Sequence, residues 1–439
     1  MAPHRLAALL ALITLTTLSG ARRLDAAPTF TRDVAPIVFE HCGQCHHPDG
    51  PAPFSLVSYD SARRRARLMA ITTASRLMPP WKSEPGYGDF VGQRFLSDAE
   101  LLTLREWSEA GAPEGDPADL PQTPQWTKGW QLGTPDLVVQ WPRPYEVRAD
   151  GPDFSRTFVL RLPIASTRYV RGFELQPGGA AGLLHHANIR VDRTSASREM
   201  DEEDPLPGYE GLLRPSAVYP DGYFLGWTPG QAGPLLPDGQ GWQLEPGTDV
   251  VVEMHFVPNG RVETIAPKIG LYFGAKPVGV PPVMLRLGRQ NIDIPAGEAS
   301  YSTTDAFTLP VDAQVVGLQP HAHYLARQIQ AVATLPGGEQ QTLLLIRDWD
   351  SRWQRVYRPE SPSVFPKETT ISMSVSFDNS ASNPRNPFSP PRRVQWGQQS
   401  TEEMEISGCN CRRRRQRIGA CSTRRFNPRR RGRRSSATK

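Results

Sequence analysis

Cysteine is nearly absent from this chain: there are five in 439 residues, and none between Cys45 and Cys409. A disulfide framework is therefore excluded for the long middle, even in an oxidising compartment. Histidine is almost as sparse, nine in all. No stretch beyond residue 27 supplies the roughly 20 consecutive apolar residues of a membrane-spanning helix. Helical periodicity is also scarce past residue 116, where apolar residues cluster or alternate over short runs. What takes its place is proline, 44 residues spread along the chain, about twice the usual ~5%. Dispersed proline favours short strands and turns over long helices. With glycine added to the 38% hydrophobic residues, the apolar share falls in the ~45–50% range of globular proteins. Real cores can be buried, and at roughly 150 residues per domain the length suggests about three.

The formal charge of +5 invites a polyanion-binding reading, but the positive charge is local. Residues 405–439 carry 13 Arg and Lys against the single acid Glu405. The remainder is net acidic, which argues against nucleic acid as a partner. At the other end, residues 1–27 read as an export signal. Arg5 opens it, Leu6 to Leu18 form a short apolar run, and Asp25-Ala26-Ala27 offers small residues before Pro28. That run is too short to span a bilayer; an uncleaved anchor or a buried helix is the alternative. The expected protein is exported, periplasmic or secreted, with no stable membrane span after signal cleavage.

Cys42-Gly43-Gln44-Cys45-His46 is a C-x-x-C-H run, the pattern in which two thiols bond a haem and the adjacent His is an axial ligand. A redox dithiol would want a βαβ context, and a zinc site a second ligand pair; neither is evident. His41 and His47 are expected to face solvent. Helices are expected from Phe30 to Val38, from Asp60 to Arg76, and from Ser97 to Ala110. The last opens on a Ser97/Glu100 capping box and ends at Gly111. Met78, in Met78-Pro79-Pro80-Trp81, is the candidate distal haem ligand, with Met69 as its competitor. Three helices around one such motif resemble a small cytochrome c domain over residues 28–116.

Residues 117–134 continue a Pro/Gly/acid stretch that begins at Gly111 and read as a linker. Beyond them, Leu137 to Trp141, Thr157 to Leu162, Asp249 to Val257, Lys268 to Phe273 and Thr370 to Phe377 read as strands. Within this region lie the five remaining histidines, in three patterns: His185-His186, Met254-His255-Phe256 and His321-Ala322-His323. On a strand, His321 and His323 would project to one face. His185 and His186 would project to opposite faces unless a bulge or strand end intervenes. Imidazoles suit copper, zinc, iron or nickel, and an added thioether favours copper. Taken singly, each pattern is also compatible with packed or surface histidine.

Together these patterns resemble the copper type II, ascorbate-dependent monooxygenases, the family of peptidylglycine α-hydroxylating and dopamine β-monooxygenases. The resemblance covers about residues 135–404 and includes Met404 in Ser400-Thr401-Glu402-Glu403-Met404. Gly129 to Leu137 is similar to the opening of bacterial members, some of which carry a cytochrome c domain in front. The resemblance implies two all-β jelly-roll copper domains, residues 135–295 and 296–404, behind the small all-α cytochrome c domain. It implies an electron-donating copper on His185, His186 and His255, and an O2-binding, catalytic copper on His321, His323 and Met404. It implies hydroxylation of a substrate C–H with ascorbate or another reductant, on a small molecule or peptide. The fused haem, held by Cys42, Cys45, His46 and Met78, would supply or relay electrons, with a redox partner protein as a further expectation.

After Met404 the pattern breaks. Residues 405–439 read as an aberrant basic tail that closes no core, as a reading-frame slip would produce. Two other readings stay open: a copper and haem electron-transfer or copper-binding protein without hydroxylase activity, and a cytochrome-tethered surface-binding sandwich whose histidines are structural.

Overall fold

The computed structural model describes residues 27–413 except Asp49, Lys128, Ala180, Leu212, Gln231, Ala232, Pro234, Val278 and Gln398. Residues 1–26 of the expected export signal 1–27, and residues 414–439 of the expected basic tail, lie outside the described residues.

Each of the five expected strand runs forms a strand: Leu137–Gln140, Phe154–Arg161, Asp249–Phe256, Lys268–Gly274 and Thr370–Phe377. Alternation explains the last, where Ile371, Met373, Val375 and Phe377 are buried in turn between half-buried polar residues. Asp249–Phe256 is instead buried almost throughout. It runs between Phe154–Arg161 and Leu184–Asp192, paired antiparallel to both. The sheet opposite consists of Leu137–Gln140, Lys268–Gly274, Arg168–Gln176 and Trp242–Leu244. Between the two sheets lie Leu160, Val170, Leu175, Val250, Met254 and Leu271. A second core lies between Val283–Leu287, Ser407–Arg413, Ala313–Gln319 and Val364–Phe365 on one side and Tyr301–Thr308, Thr370–Phe377, Ala326–Thr334 and Gln340–Ile346 on the other.

The expected architecture, a small all-α cytochrome c domain followed by two all-β jelly-roll copper domains, does not stand. Among the described residues the fold is mostly β, with 15% helix of all types including five short α-helices, and its larger sheets take a four-bladed, propeller-like arrangement. Helices do occur near the expected positions. Asp98–Glu109 carries the expected capping box between Ser97 and Glu100. The helix expected over Asp60 to Arg76 is broken into Tyr59–Arg63 and Ala66–Ala74, with Arg65 between them stacked 4.3 Å over the Phe54 ring. The first run is helical from Phe30 through Cys42, π-type over Phe30–Val34 and Val38–Cys42. These pieces share an apolar cluster that includes Phe30, Val38, Leu104 and Trp107.

They do not, however, close a domain of their own. After Met78 the chain leaves the helices and enters the second β core, to which Trp81 and Phe90 belong. Glu84 N–H donates to the Leu345 carbonyl at 2.7 Å, and Val91 N–H to the Arg358 carbonyl at 2.9 Å. Trp81 and Phe90 both pack edge-on against Tyr357, and Lys82 pairs with Asp348 at 3.0 Å. This strap makes the helical segment an extension of the β structure. Phe90→Ala is expected to cost about 3–5 kcal/mol, read as a lowered urea midpoint together with faster proteolysis between residues 79 and 96.

Other boundaries shift as well. Val283–Leu287, placed by sequence in the first β unit, belongs to the second, where it pairs with Ser407–Arg413. The linker segment is irregular but packed: Trp126 stacks on His47 at 5.2 Å, and the Gln131 and Leu132 amides donate to Glu174. The basic end departs furthest from expectation. Ser407–Arg413 lies inside its sheet, between Val283–Leu287 and Ala313–Gln319, with Cys409 and Cys411 in the core. The reading that residues after Met404 close no core is therefore corrected for residues 407–413.

Candidate metal centre

The first histidine cluster depends on a local irregularity. Leu184 pairs with Phe256 and His186 with His255, so the register shifts by one residue at His185. That bulge, the condition under which adjacent histidines share a face, brings His185 beside His186 and His255. Donor atoms of the three lie within 4.8 Å of one another. Nδ1 of His185 and Nδ1 of His186 are buried without a hydrogen-bond partner, whereas buried polar atoms are ordinarily satisfied. His255 donates Nε2–H to Asp153 Oδ2 at 2.8 Å. The carboxylate only accepts, so Nδ1 keeps its lone pair. Three imidazole lone pairs thus converge without protein partners, which fits a metal ion that accepts nitrogen ligands.

The second pair is built differently. His321 and His323 sit just beyond the strand Ala313–Gln319, not on it, with ring centroids 5.3 Å apart. His321 Nδ1 bonds Gln354 Oε1 at 2.5 Å, and His323 Nδ1 donates to the Glu402 carbonyl at 3.0 Å. Both rings therefore present Nε2. Glu403 fixes this loop from below, accepting the amides of His323 at 3.0 Å and Leu325 at 2.6 Å. Burial pushes its carboxyl up to about 8, against the pull of those amides. Met404 follows directly. His185, His186, His255, His321, His323 and Met404 all line one cavity of about 350 Å³. The opposed walls also contribute Asn188, Arg190 and Glu253 from one sheet and Met284, Arg286 and Gln319 from the other.

Burial favours the neutral form of His185, His186, His321 and His323. His185 is pushed down to about 4 by burial and the neighbouring His255, and His323 to about 3 by burial and His321. His186 and His321 are lowered by the same cause. An unfolded chain would take up protons at these sites below the ordinary value of 6.5, whereas the folded chain resists them. Stability of the metal-free protein is therefore expected to be full above pH 6.5 and to fall as pH drops towards 4. Urea midpoints across that interval measure it; a pH-independent midpoint would contradict the assignment.

Cys42, Cys45 and His46 line a second cavity, of about 710 Å³, together with both Met69 and Met78. His46 donates Nδ1–H to the Phe54 carbonyl at 2.9 Å, leaving Nε2 available. The two thiols are free, and burial pushes that of Cys42 up to about 12. Gly230, at φ +74°, packs against Cys45 where a Cβ would collide with the sulfur. Two reduced thiols, a pre-oriented imidazole and an apolar enclosure of this size fit a haem. Contrary to expectation, His41 is not solvent-facing: it is half-buried and donates Nε2–H to Glu100 at 3.0 Å. His47 stacks on Trp126. Neither Met69 nor Met78 is singled out, since both border the cavity.

The two cavities adjoin. His185, His255 and Tyr324 border both, and the Tyr324 hydroxyl donates to Asp153 Oδ2 at 3.1 Å. Sequence reasoning missed Asp153, Tyr324, Gln354 and Glu403. Glu403 lies inside the Ser-Thr-Glu-Glu-Met segment and Tyr324 beside His323, which are weak signals; Asp153 and Gln354 have none.

No family model and no curated protein matches the chain. Among solved structures it is similar to the infectious bursal disease virus VP2 subviral particle, at 8% identity and TM-score 0.19, over 63% of this chain and 72% of that one. It is also similar to a Paenibacillus xanthan lyase, at 10% identity and TM-score 0.17, over 63% of this chain and 25% of that one. Likenesses this loose carry no argument about fold or function.

Proposed function

We propose that this chain is an exported copper monooxygenase of the ascorbate-dependent type II kind, carrying two copper ions and one covalently attached haem c. The observation that carries the reading is the meeting of all five body histidines and Met404 on one cavity. His185, His186 and His255 would hold one copper, and His321, His323 and Met404 the other. Cys42 and Cys45 would bond the haem, and His46 together with Met78 or Met69 would ligate it. Bound in these places, copper and haem would supply one-electron redox chemistry and the activation of O2 for C–H hydroxylation, with ascorbate or a redox protein as reductant.

The protein's own contribution is orientation. Asp153, Gln354 and the Glu402 carbonyl each engage the far nitrogen of a histidine and so decide which nitrogen is offered. Glu403 holds the His321–Leu325 loop rigid through two buried amides. The cavity walls present Arg190, Arg286, Asn188 and Glu253, so a substrate reaching the metals meets polar and charged groups. Among the described residues, no helix is long and apolar enough to cross a membrane.

Metal and haem analysis of the copper-loaded protein tests the reading. Two coppers and one haem per chain, with reductant-dependent O2 consumption, are expected. Binding without O2 consumption would make it an electron carrier, and absence of copper would overturn the proposal.

A further inference from the structure

We infer that Asp153 is a positioning residue that couples the cavity beside Cys42, Cys45 and His46 to the three-histidine cluster, by holding His255 and Tyr324 in the wall the two share. The inference rests on the copper and haem reading above and concerns how that site is connected, which the reading leaves open.

Asp153 immediately precedes the strand Phe154–Arg161 at the edge of the first β core. A single oxygen, Oδ2, accepts from His255 Nε2 at 2.8 Å and from the Tyr324 hydroxyl at 3.1 Å. His255 lies on the central strand of the first core, and Tyr324 follows His323 in the loop leaving the second. One carboxylate therefore ties together elements of both β cores, one from each histidine group. Asp153, His185, His255 and Tyr324 also border the larger cavity, which Cys42, Cys45 and His46 line as well. His185 and His255 thus belong both to the histidine cluster and to the lining of that cavity.

The chemistry of this wall is specific. With Nε2–H donated to Asp153, His255 offers Nδ1 to the cluster, so the ring spans from the metal position to the cavity wall. A carboxylate partner on the far nitrogen raises the basicity of a ligating imidazole and fixes its plane. With haem and copper held by these residues, the pair would supply a one-electron exchange in which the haem iron is oxidised from ferrous to ferric and the copper reduced from Cu(II) to Cu(I). No bond forms or breaks and no proton moves. A small ascorbate-type reductant or a redox protein restores the ferrous state. Tyr324 adds a restraint of another kind. Anchored to the same oxygen, it holds the loop carrying His321 and His323 against the first core, so Asp153 also influences the spacing of the two histidine groups.

The experiment uses the full-length haem protein loaded with Cu(II) and compares wild type, Asp153→Asn and Tyr324→Phe. Haem and copper contents are measured first, then the Cu(II) electron paramagnetic resonance spectrum, then the decay of ferrous-haem absorbance on anaerobic mixing with Cu(II). Asp153→Asn is expected to retain haem, to alter the Cu(II) spectrum of the three-histidine cluster, and to slow haem oxidation by about tenfold or more, the scale on which partners of metal ligands act. Tyr324→Phe, which removes only a hydroxyl, is expected to leave that spectrum nearly unchanged and to broaden the signal from the His321/His323 side. An unchanged spectrum and unchanged decay in Asp153→Asn with both cofactors bound would overturn the inference, as would a shift in unfolding midpoint alone. If Asp153→Asn fails to fold, Tyr324→Phe decides: spectra of both copper sites identical to wild type overturn the inference. Wild-type protein lacking copper or haem would overturn the parent reading, and this inference with it.

Discussion

A chain that stops at Ile406 is expected to lose its second β core outright. Ser407–Arg413 is the interior strand between Val283–Leu287 and Ala313–Gln319. Its removal strips both neighbours of their ladder and exposes the floor that Cys409 and Cys411 cover. Total stabilities of about 5–15 kcal/mol do not survive the loss of a central strand. Near-ultraviolet circular dichroism and urea unfolding should show the native signal of the C-terminal half gone. Cys409→Ala and Cys411→Ala, which keep the ladder, should instead cost only about 1 kcal/mol each. A truncated chain with a native spectrum would show that the strand is dispensable. The same truncation should abolish metal binding at His321, His323 and Met404, because Ala313–Gln319, which leads straight into the His-x-His loop, loses the strand it pairs with up to Gln319 opposite Gly408.

Replacing His186 by Ala should remove one copper per chain and lower turnover by at least about a hundredfold, more than partners beyond the ligands cost when they are lost. His323→Ala should remove the other copper and leave the first. The informative contrast is stability without metal. A buried histidine kept for packing destabilises when truncated, whereas His186 buries an Nδ1 with no partner, whose removal relieves a desolvation penalty. Metal-free His186→Ala should therefore unfold at a urea midpoint no lower than wild type, while copper raises the midpoint of wild type only. A marked loss of metal-free stability would return His186 to a structural role.

The legible parts of this molecule were those whose signal is local. Thr370 to Phe377 alternates, Ser97 and Glu100 cap a helix, and the histidine patterns are rare enough to stand out in a chain with so few. The His185-His186 pair even carried its own condition, a bulge, which the register meets. What could not be read was set by distant partners. Residues 81–90 contain Pro, Gly and isolated aromatics with no periodicity, so nothing local announces that Trp81 and Phe90 complete a β core more than two hundred residues away. Asp153 acquires its role only when His255 and Tyr324 arrive from two other elements. Composition misled at Ser407–Arg413: arginines beginning at Arg412 obscured Cys409 and Cys411, whose i, i+2 spacing points both side chains inward.

The strap from Trp81 to Phe90 also bears on the order in which the molecule can be made. Its partners, Leu345, Tyr357 and Arg358, emerge long after the helices that precede it. Contacts so far apart in sequence form slowly, because loop closure must come before their reward. Until the late strands are in place, the strap has no core to enter. The larger cavity, with Met78 on its border just ahead of the strap, stays open through that interval. The thiols of Cys42 and Cys45 are thus open to solvent chemistry early and enclosed late, so the order of folding itself limits when a large group could be bonded to them.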